Sequence, residues 1–374
     1  MTRRLTIILA AGGTGGHVFP ALAAAEALRA RGCRVIVATD GRGKRFEGDF
    51  ETATIKAGAL SGGLLRKTAD AVRIGAGVLQ AVQLILASRA DAVVGFGGYP
   101  SLPTMLAAWL LRRPTALHEQ NAVLGRVNRL LAHRVDRVAT AFPNAKGAPA
   151  GRTILVGNPV RAAIAAIAAT PYTPPASNSD IHLLIVGGSQ GARVMSDVLP
   201  GAVALLPAEI RHRLRLVQQC RPEDMERVAA AYRAALQPAE LKCFFDDMPA
   251  RLAAAHLIVA RAGASTVAEL AAAGRPAILI PFGAAMDDHQ TMNAQALVDV
   301  GAAWRLAERD ATVDAVATAL TEALANSPGL TAAAKAARDA GRPNAAEALA
   351  DLIEDIAGAR GRPAGAHVAG GIAA

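Results

Sequence analysis

The stretch Leu5-Thr6-Ile7-Ile8-Leu9-Ala10-Ala11-Gly12-Gly13-Thr14-Gly15-Gly16-His17 reads as a buried strand, a glycine turn and a helix start, and the same order returns at Ile181-His182-Leu183-Leu184-Ile185-Val186-Gly187-Gly188-Ser189-Gln190-Gly191. A turn of this kind lets backbone N–H groups and a helix N-terminus point into one cleft, where they attract anions and suit phosphate. Neither turn carries the Lys-Ser or Lys-Thr of a Walker loop, and in the first the final glycine of a G-x-G-x-x-G pattern falls on Val18, so ATP and NAD are poorly supported. One glycine turn is ordinary punctuation between strand and helix. Two in matched places point to a cleft built from two similar halves.

Working outward, the first half repeats strand, turn and Ala/Leu-rich helix, with strands expected at Leu5 to Ala11, Cys33 to Thr39, Ala92 to Gly95, Thr115 to His118, Arg137 to Ala141 and Thr153 to Val156. Continuous apolar strands alternating with helices belong to a parallel sheet covered on both faces. After Asn158-Pro159-Val160-Arg161, an alanine-rich stretch runs into Pro171-Tyr172-Thr173-Pro174-Pro175-Ala176-Ser177-Asn178-Ser179, the composition of an inter-domain linker. A second series follows, with strands expected at Ile181 to Val186, Leu214 to Gln218, Lys242 to Phe245, Leu257 to Ala260 and Ala277 to Pro281. The fold class is therefore α/β, with two doubly wound domains and both glycine turns at the strand ends that line a cleft.

The bulk numbers narrow the function. With 374 residues, 52% of them hydrophobic, the chain has ample material for two cores. Three scattered cysteines without a C-x-x-C argue against a disulfide framework or a zinc knuckle and fit a reducing compartment. Met1-Thr2-Arg3-Arg4 before the apolar run imitates an export signal, but that run is too short and enters glycine-rich sequence, so it reads as the first strand. The balance of 40 basic to 31 acidic residues, +9 net, suits nucleic acid, anionic lipid or a phosphorylated substrate. An aromatic content of 3%, with no zinc finger, RNP-like segment or long basic run, disfavours nucleic acid.

Several clusters could carry chemistry. His17 closes the first glycine turn near a helix start, where Pro20 suits a first helical turn. His118-Glu119-Gln120-Asn121 should sit at a strand's carboxyl edge, where His118 and Glu119 could orient or deprotonate a hydroxyl and Asn121 could bond a sugar, or where the cluster could simply hold its own loop. In Arg261-Ala262-Gly263-Ala264-Ser265-Thr266-Val267-Ala268-Glu269, Thr266 and Glu269 fit a capping box, while Glu269 could equally accept bonds from ribose hydroxyls with the Ala264 to Thr266 amides facing a phosphate. Asp287-Asp288-His289-Gln290 offers sugar-binding groups; two adjacent aspartates without a third ligand, in a chain with no D-x-D, make no metal site. Ile74 to Ser88, after Arg66-Lys67, contains no charged residue. It is too short and too polar to span a bilayer, yet Ile74, Val78, Leu79, Val82 and Leu86 could form an apolar patch for an anionic lipid surface, or the core-facing side of an ordinary helix, with Gly62, Gly63, Gly75 and Gly77 beside it as a mobile loop.

Taken together, Gly12-Gly-Thr-Gly-Gly-His-Val-Phe-Pro20, Gly97-Gly98-Tyr99, His118-Glu-Gln-Asn121, Gly157-Asn-Pro-Val-Arg161, Gly187-Gly-Ser-Gln-Gly-Ala-Arg193, Asp246-Asp247-Met248 and Ala272-Ala-Gly-Arg-Pro276 resemble the MurG family, peripheral membrane glycosyltransferases of bacterial cell-wall synthesis. The resemblance implies a GT-B architecture of two Rossmann-like domains facing across a cleft: an acceptor- and membrane-facing domain over 1–158, a UDP-sugar donor domain over 159–341, a helix over about 342–357 returning to the first domain, and a disordered tail at 358–374. It implies inverting transfer of N-acetylglucosamine from UDP-N-acetylglucosamine to the 4-hydroxyl of the muramyl sugar of lipid I, giving lipid II, at the cytoplasmic face of the inner membrane. No cofactor or metal is implied, and cell-wall synthesis or division proteins are further candidate partners. By the same resemblance Thr14, Gly15, Gly16, Asn121, Arg161, Ser189, Phe245, Ala264, Ser265, Thr266, Val267, Ala268, Glu269 and Gln290 contact the donor. Uracil would meet the backbone at Phe245, ribose Glu269, and diphosphate the second glycine turn with Arg161. His17 is the expected general base, with Glu119 or His118 assisting.

Overall fold

Strands whose two faces are both covered need a near-continuous apolar run, and β1 (Thr6–Ala10) has one from Ile7 to Ala10, with all five residues buried. In the computed structural model, which describes residues 3–12, 15–40, 50–59, 63–188, 191–285 and 288–358, β1 is an inner strand of a seven-stranded sheet with β2 (Arg34–Thr39), β3 (Glu51–Thr54), β4 (Ala92–Gly95), β5 (Thr115–Glu119), β6 (Arg137–Thr140) and β7 (Thr153–Leu155), in the order β3-β2-β1-β4-β5-β6-β7. A second sheet holds β8 (Ile181–Val186), β9 (Leu214–Gln219), β10 (Ala239–Lys242), β11 (Leu257–Ala260), β12 (Ala277–Leu279) and β13 (Ala303–Arg305), in the order β10-β9-β8-β11-β12-β13. Every pairing in both is parallel, with Ile7 beside Val35 and Ala92 in one and Leu184 beside Val217 and Ile258 in the other. The expected pair of Rossmann-like α/β units is what forms.

Four elements differ from the sequence reading. The edge strands β3 and β13 have no apolar run to announce them, β3 being mostly exposed. The strand expected at Lys242 to Phe245 ends where that run begins, because Phe245 turns inward beneath Arg251, whose guanidinium lies 4.3 Å from its ring centre. The first glycine-turn helix already starts at Gly15 and runs to Ala30, so Pro20 stands beyond its first turn.

The order in which strands are added reverses between β1 and β4 and between β8 and β11, and these are the switch points where open α/β sheets form crevices at the carboxyl ends of their strands. The chain crosses between the halves near Gly157, whose φ of +92° places it where a Cβ would lie 2.7 Å from the Cβ of Arg342 on the returning strand of chain. The final helix, Ala345–Gly358, packs against Gly15–Ala30 and puts Leu349 and Ile353 into the same core as Ile7, Leu9 and Val94. Arg31 bridges to Glu347, Asp351 and Glu354 of that helix.

The uncharged segment at 74–88 belongs to a longer helix, Leu64–Ser88, and the span Lys67–Ser88 is long and apolar enough to cross a membrane by length and composition. Its inner face is nevertheless committed to the protein: Ala81 and Ile85 are wholly buried, and Ile74, Val78 and Val82 pack partly buried on the same core. Of the proposed lipid patch only Leu79 and Leu86 point outward, joined by Val72 at 73% exposure. Gly75 and Gly77 sit inside the helix rather than in a loop.

Candidate functional site

The two switch points face each other across one cleft of about 1510 Å³, lined by Gly12 and His17 on one side and by Gly187, Ser265, Glu269 and Gln290 on the other. This exceeds the few hundred to about 1,000 Å³ that one small ligand usually occupies, and leaves room for two substrates. Thr14, Ser189 and Asp287 lie outside the described residues, as does the tail from 359.

On the β5 side the buried polar groups form one ordered chain. His118 is fully buried, its Nε2–H donating to the carbonyl of Gly157 at 2.9 Å, and its Nδ1 accepts from Gln120 Nε2 at 3.0 Å. The same Gln120 nitrogen reaches the carbonyl of Phe96, so the amide cannot be turned the other way without opposing two oxygens. Gln120 Oε1 is thereby left to accept from His17 Nδ1 at 3.0 Å. His17 carries its proton on Nδ1, and its Nε2 lone pair has no hydrogen-bond partner among the described residues. Gly97 and Gly98, at φ of +86° and +71°, lie against the other side of the His17 ring, where a Cβ on Gly98 would sit 3.3 Å from Cδ2. Two glycines there let the main chain pass the imidazole closely.

This geometry corrects the roles expected for His118 and Glu119. Burial lowers the His118 pKa to about 4, both its nitrogens are occupied, and it has no path to a substrate. Glu119, 1% exposed, accepts from the backbone N–H groups of Asn121 and Gly125 and from the side-chain amides of Asn121 and Asn128. A carboxylate with four donors is already satisfied, and it shapes the loop that follows β5.

On the other side, helix Ala264–Ala273 starts from Gly263 with no side-chain cap, which overturns the capping-box reading: Thr266 is its third residue and Glu269 its sixth. Its first turn, Ala264 to Thr266, lines the cleft with N–H groups that have no intrahelical partner, and Ser265 Oγ is buried there with no partner among the described residues. Val267 turns into the core and Ala268 packs against it, so neither side chain lines the cleft. Glu269 meets Arg161 Nη2 at 3.2 Å, while burial pushes its pKa up and the arginine opposes that rise. The Arg161 guanidinium also lies 6.0 Å from the ring centre of Phe19 on helix Gly15–Ala30, so one arginine touches both halves. Gln290 accepts from the N–H of Phe282 at 2.9 Å. Phe245 lines the cleft but is only 2% exposed.

Other residues at the cleft or buried behind it were given no role by the sequence reading. Phe244 is 63% exposed beside Phe245. Arg261 is buried against the carbonyls of Ile280 and Pro281 and paired with Glu308, whose other oxygen accepts from the N–H of Gly283. Asn293, wholly buried, bonds across to Asn121 and Ala122. A pair of aromatics next to a glycine-poor strand end is the sort of signal that could have marked Phe244; nothing local marks Asn293.

Residues 7–140 match the glycosyltransferase family 28 N-terminal domain and residues 182–355 the glycosyltransferase family 28 C-terminal domain. A protein of Paramagnetospirillum magneticum named UDP-N-acetylglucosamine–N-acetylmuramyl-(pentapeptide) pyrophosphoryl-undecaprenol N-acetylglucosamine transferase is 50% identical, covering 94% of this chain and 97% of its own. A protein of the same name from Phenylobacterium zucineum is 49% identical over 96% of this chain and its full length. Among solved structures, Acinetobacter baumannii MurG superposes with a TM-score of 0.79 at 33% identity, covering 94% of this chain and 99% of that one.

Proposed function

Because the chain belongs to the MurG family of glycosyltransferase family 28, we propose that it transfers N-acetylglucosamine from UDP-N-acetylglucosamine to N-acetylmuramyl-(pentapeptide) pyrophosphoryl-undecaprenol, as its relatives are named for doing. The observation that carries this reading is the opposition, across one cleft, of a histidine with a free Nε2 and a helix N-terminus beside an arginine. The first can take a proton from an attacking hydroxyl; the second can receive the charge that a departing diphosphate develops.

In the mechanism that follows, the 4-hydroxyl of the muramyl sugar attacks the anomeric carbon from the face opposite UDP, and the anomeric centre inverts. His17 Nε2 removes the hydroxyl proton as the new bond forms. The N–H groups at Ala264 to Thr266, Ser265 Oγ and Arg161 hold the diphosphate, and Glu269 accepts from ribose once Arg161 turns from it to the phosphates. Gln290 and the backbone at Phe245 hold the sugar and the base. Holding both substrates in one cleft supplies proximity, and proton removal adds a factor of about 10²–10⁴.

The acceptor is a polyprenyl lipid, so the enzyme must meet it at a bilayer. The outward face of Leu64–Ser88, with Val72, Leu79 and Leu86, suits an apolar contact with the cytoplasmic surface of the inner membrane, and the +9 net charge suits anionic lipid there. Incubation with labelled UDP-N-acetylglucosamine, with and without a lipid I analogue, tests the activity. Label in the lipid is the expected result; isomerised free sugar would indicate a 2-epimerase, and unchanged donor a binding protein, and either would end this reading.

A further inference from the structure

Asn293 is wholly buried in the helix His289–Val298 and uses its amide in three bonds to two other segments at once. Its Oδ1 accepts from the N–H of Ala122 at 2.8 Å, while its Nδ2 donates to Asn121 Oδ1 at 3.1 Å and to the carbonyl of Ala262 at 3.2 Å. The first two contacts belong to the loop after β5 in the N-terminal half. The third belongs to the turn after β11, just before the helix Ala264–Ala273.

We infer that Asn293 is a positioning residue for the transfer reaction, pinning the acceptor-side loop and the donor-side segments into one frame. The connection is continuous in chemical terms. His17 bonds Gln120, the next residue Asn121 bonds Asn293, and Gln290 lies three residues earlier on the same helix, one turn away on the same face. Asn121 is fixed from both sides, its own Nδ2 donating to Glu119 while its Oδ1 receives Asn293. Losing the pin leaves the Ala122 N–H and the Ala262 carbonyl unpaired at a buried junction, and lets the two walls of the cleft shift against each other. A misplacement of about 1 Å between reacting groups costs on the order of 10²-fold in rate.

This inference rests on the transferase reading above, and its test is arranged to separate the two. The full chain, Asn293→Ala and Asn293→Asp are compared for transfer from UDP-N-acetylglucosamine to a lipid I analogue, for UDP affinity at equilibrium and for thermal midpoint. Aspartate keeps the size and the acceptor for Ala122 but sets an oxygen against Asn121 Oδ1 and the Ala262 carbonyl. Both variants are expected to lose about 10- to 100-fold in kcat with UDP affinity within about threefold of the parent. Recovery of the rate by aspartate would make the role one of packing, and a parallel loss of UDP affinity would make it a donor contact; either overturns the inference. Should the aspartate variant not fold, Asn121→Ala and Asn293→Ala form a cycle in which the two losses must fail to multiply, independent losses counting against the pin. A parent chain with no transfer at all defeats the transferase reading instead, whereas a fully active Asn293→Asp defeats only the pin.

Discussion

At the scale of single residues, the decisive feature is a tautomer. Because the Phe96 carbonyl fixes the Gln120 amide, His17 is left with Nδ1–H bonded and Nε2 open, the form a general base needs. Changing His17 to Ala is expected to lower kcat by about 10²–10⁴ while UDP affinity, carried by other segments, stays within about threefold. Near-normal turnover of that variant would remove His17 from the mechanism. His118 makes a different prediction. Held neutral in the fold with its pKa lowered to about 4, it binds a proton far more readily in the unfolded chain. Between the ordinary imidazole value and pH 4 the unfolded state therefore holds more protons, and stability must fall as the pH falls through that window. Relative to a His118→Gln variant, which has no such group, the parent should lose up to about 3 kcal/mol between pH 7 and pH 4 in denaturant titrations. Parallel pH profiles for the two proteins would mean that His118 accepts its proton in place.

At the scale of elements, burial explains both what the sequence discloses and what it hides. The central strands were legible because two covered faces demand unbroken apolar runs, as in Ile7-Ile8-Leu9 and Leu257-Ile258-Val259. Glu51–Thr54 and Ala303–Arg305 were not, since edge strands bury little and are held by hydrogen bonds that composition does not encode. The His-Glu-Gln-Asn cluster was visible as polar density after a strand, but which member meets the cleft depends on β5 placing His118 inward beneath Gly157. Asn293 was invisible because its partners lie in other segments far along the chain. The same logic ranks the forces holding the last helix. Leu349 is wholly buried with Ile7 and Leu9, so Leu349→Ala should cost about 2–5 kcal/mol. Arg31 reaches three carboxylates that are all at least a third exposed or nearly so, and Arg31→Ala should cost about 1 kcal/mol or less. Thermal unfolding should show the larger drop for Leu349→Ala, and the reverse order would mean that the ion cluster, not the apolar seam, docks the helix.

At the scale of the whole molecule, the chain has to serve a soluble nucleotide sugar and an acceptor whose lipid stays in the bilayer. Helix Leu64–Ser88 lies in the N-terminal half, opposite in sequence to the donor-side segments, and it divides its own surface. Ala81 and Ile85 anchor it to the core, while Val72, Leu79 and Leu86, seven residues apart, fall on one outward stripe at 73%, 68% and 51% exposure. An exposed apolar stripe of this kind is a liability in water unless something covers it. Each leucine that enters the interface can contribute about 1.5–3 kcal/mol, and a basic chain adds a salt-sensitive attraction to anionic headgroups. Vesicles rich in anionic lipid should therefore bind the protein, more weakly as salt rises. Leu79→Glu combined with Leu86→Glu should weaken that binding by at least about tenfold, each leucine being lost and replaced by a charge that the surface repels. The same double variant should still turn over a short-chain, water-soluble acceptor, because neither leucine lines the cleft. Equal vesicle binding by parent and double variant would assign the membrane contact to another face, and loss of turnover on the soluble acceptor would show that the stripe supports the fold instead of the bilayer.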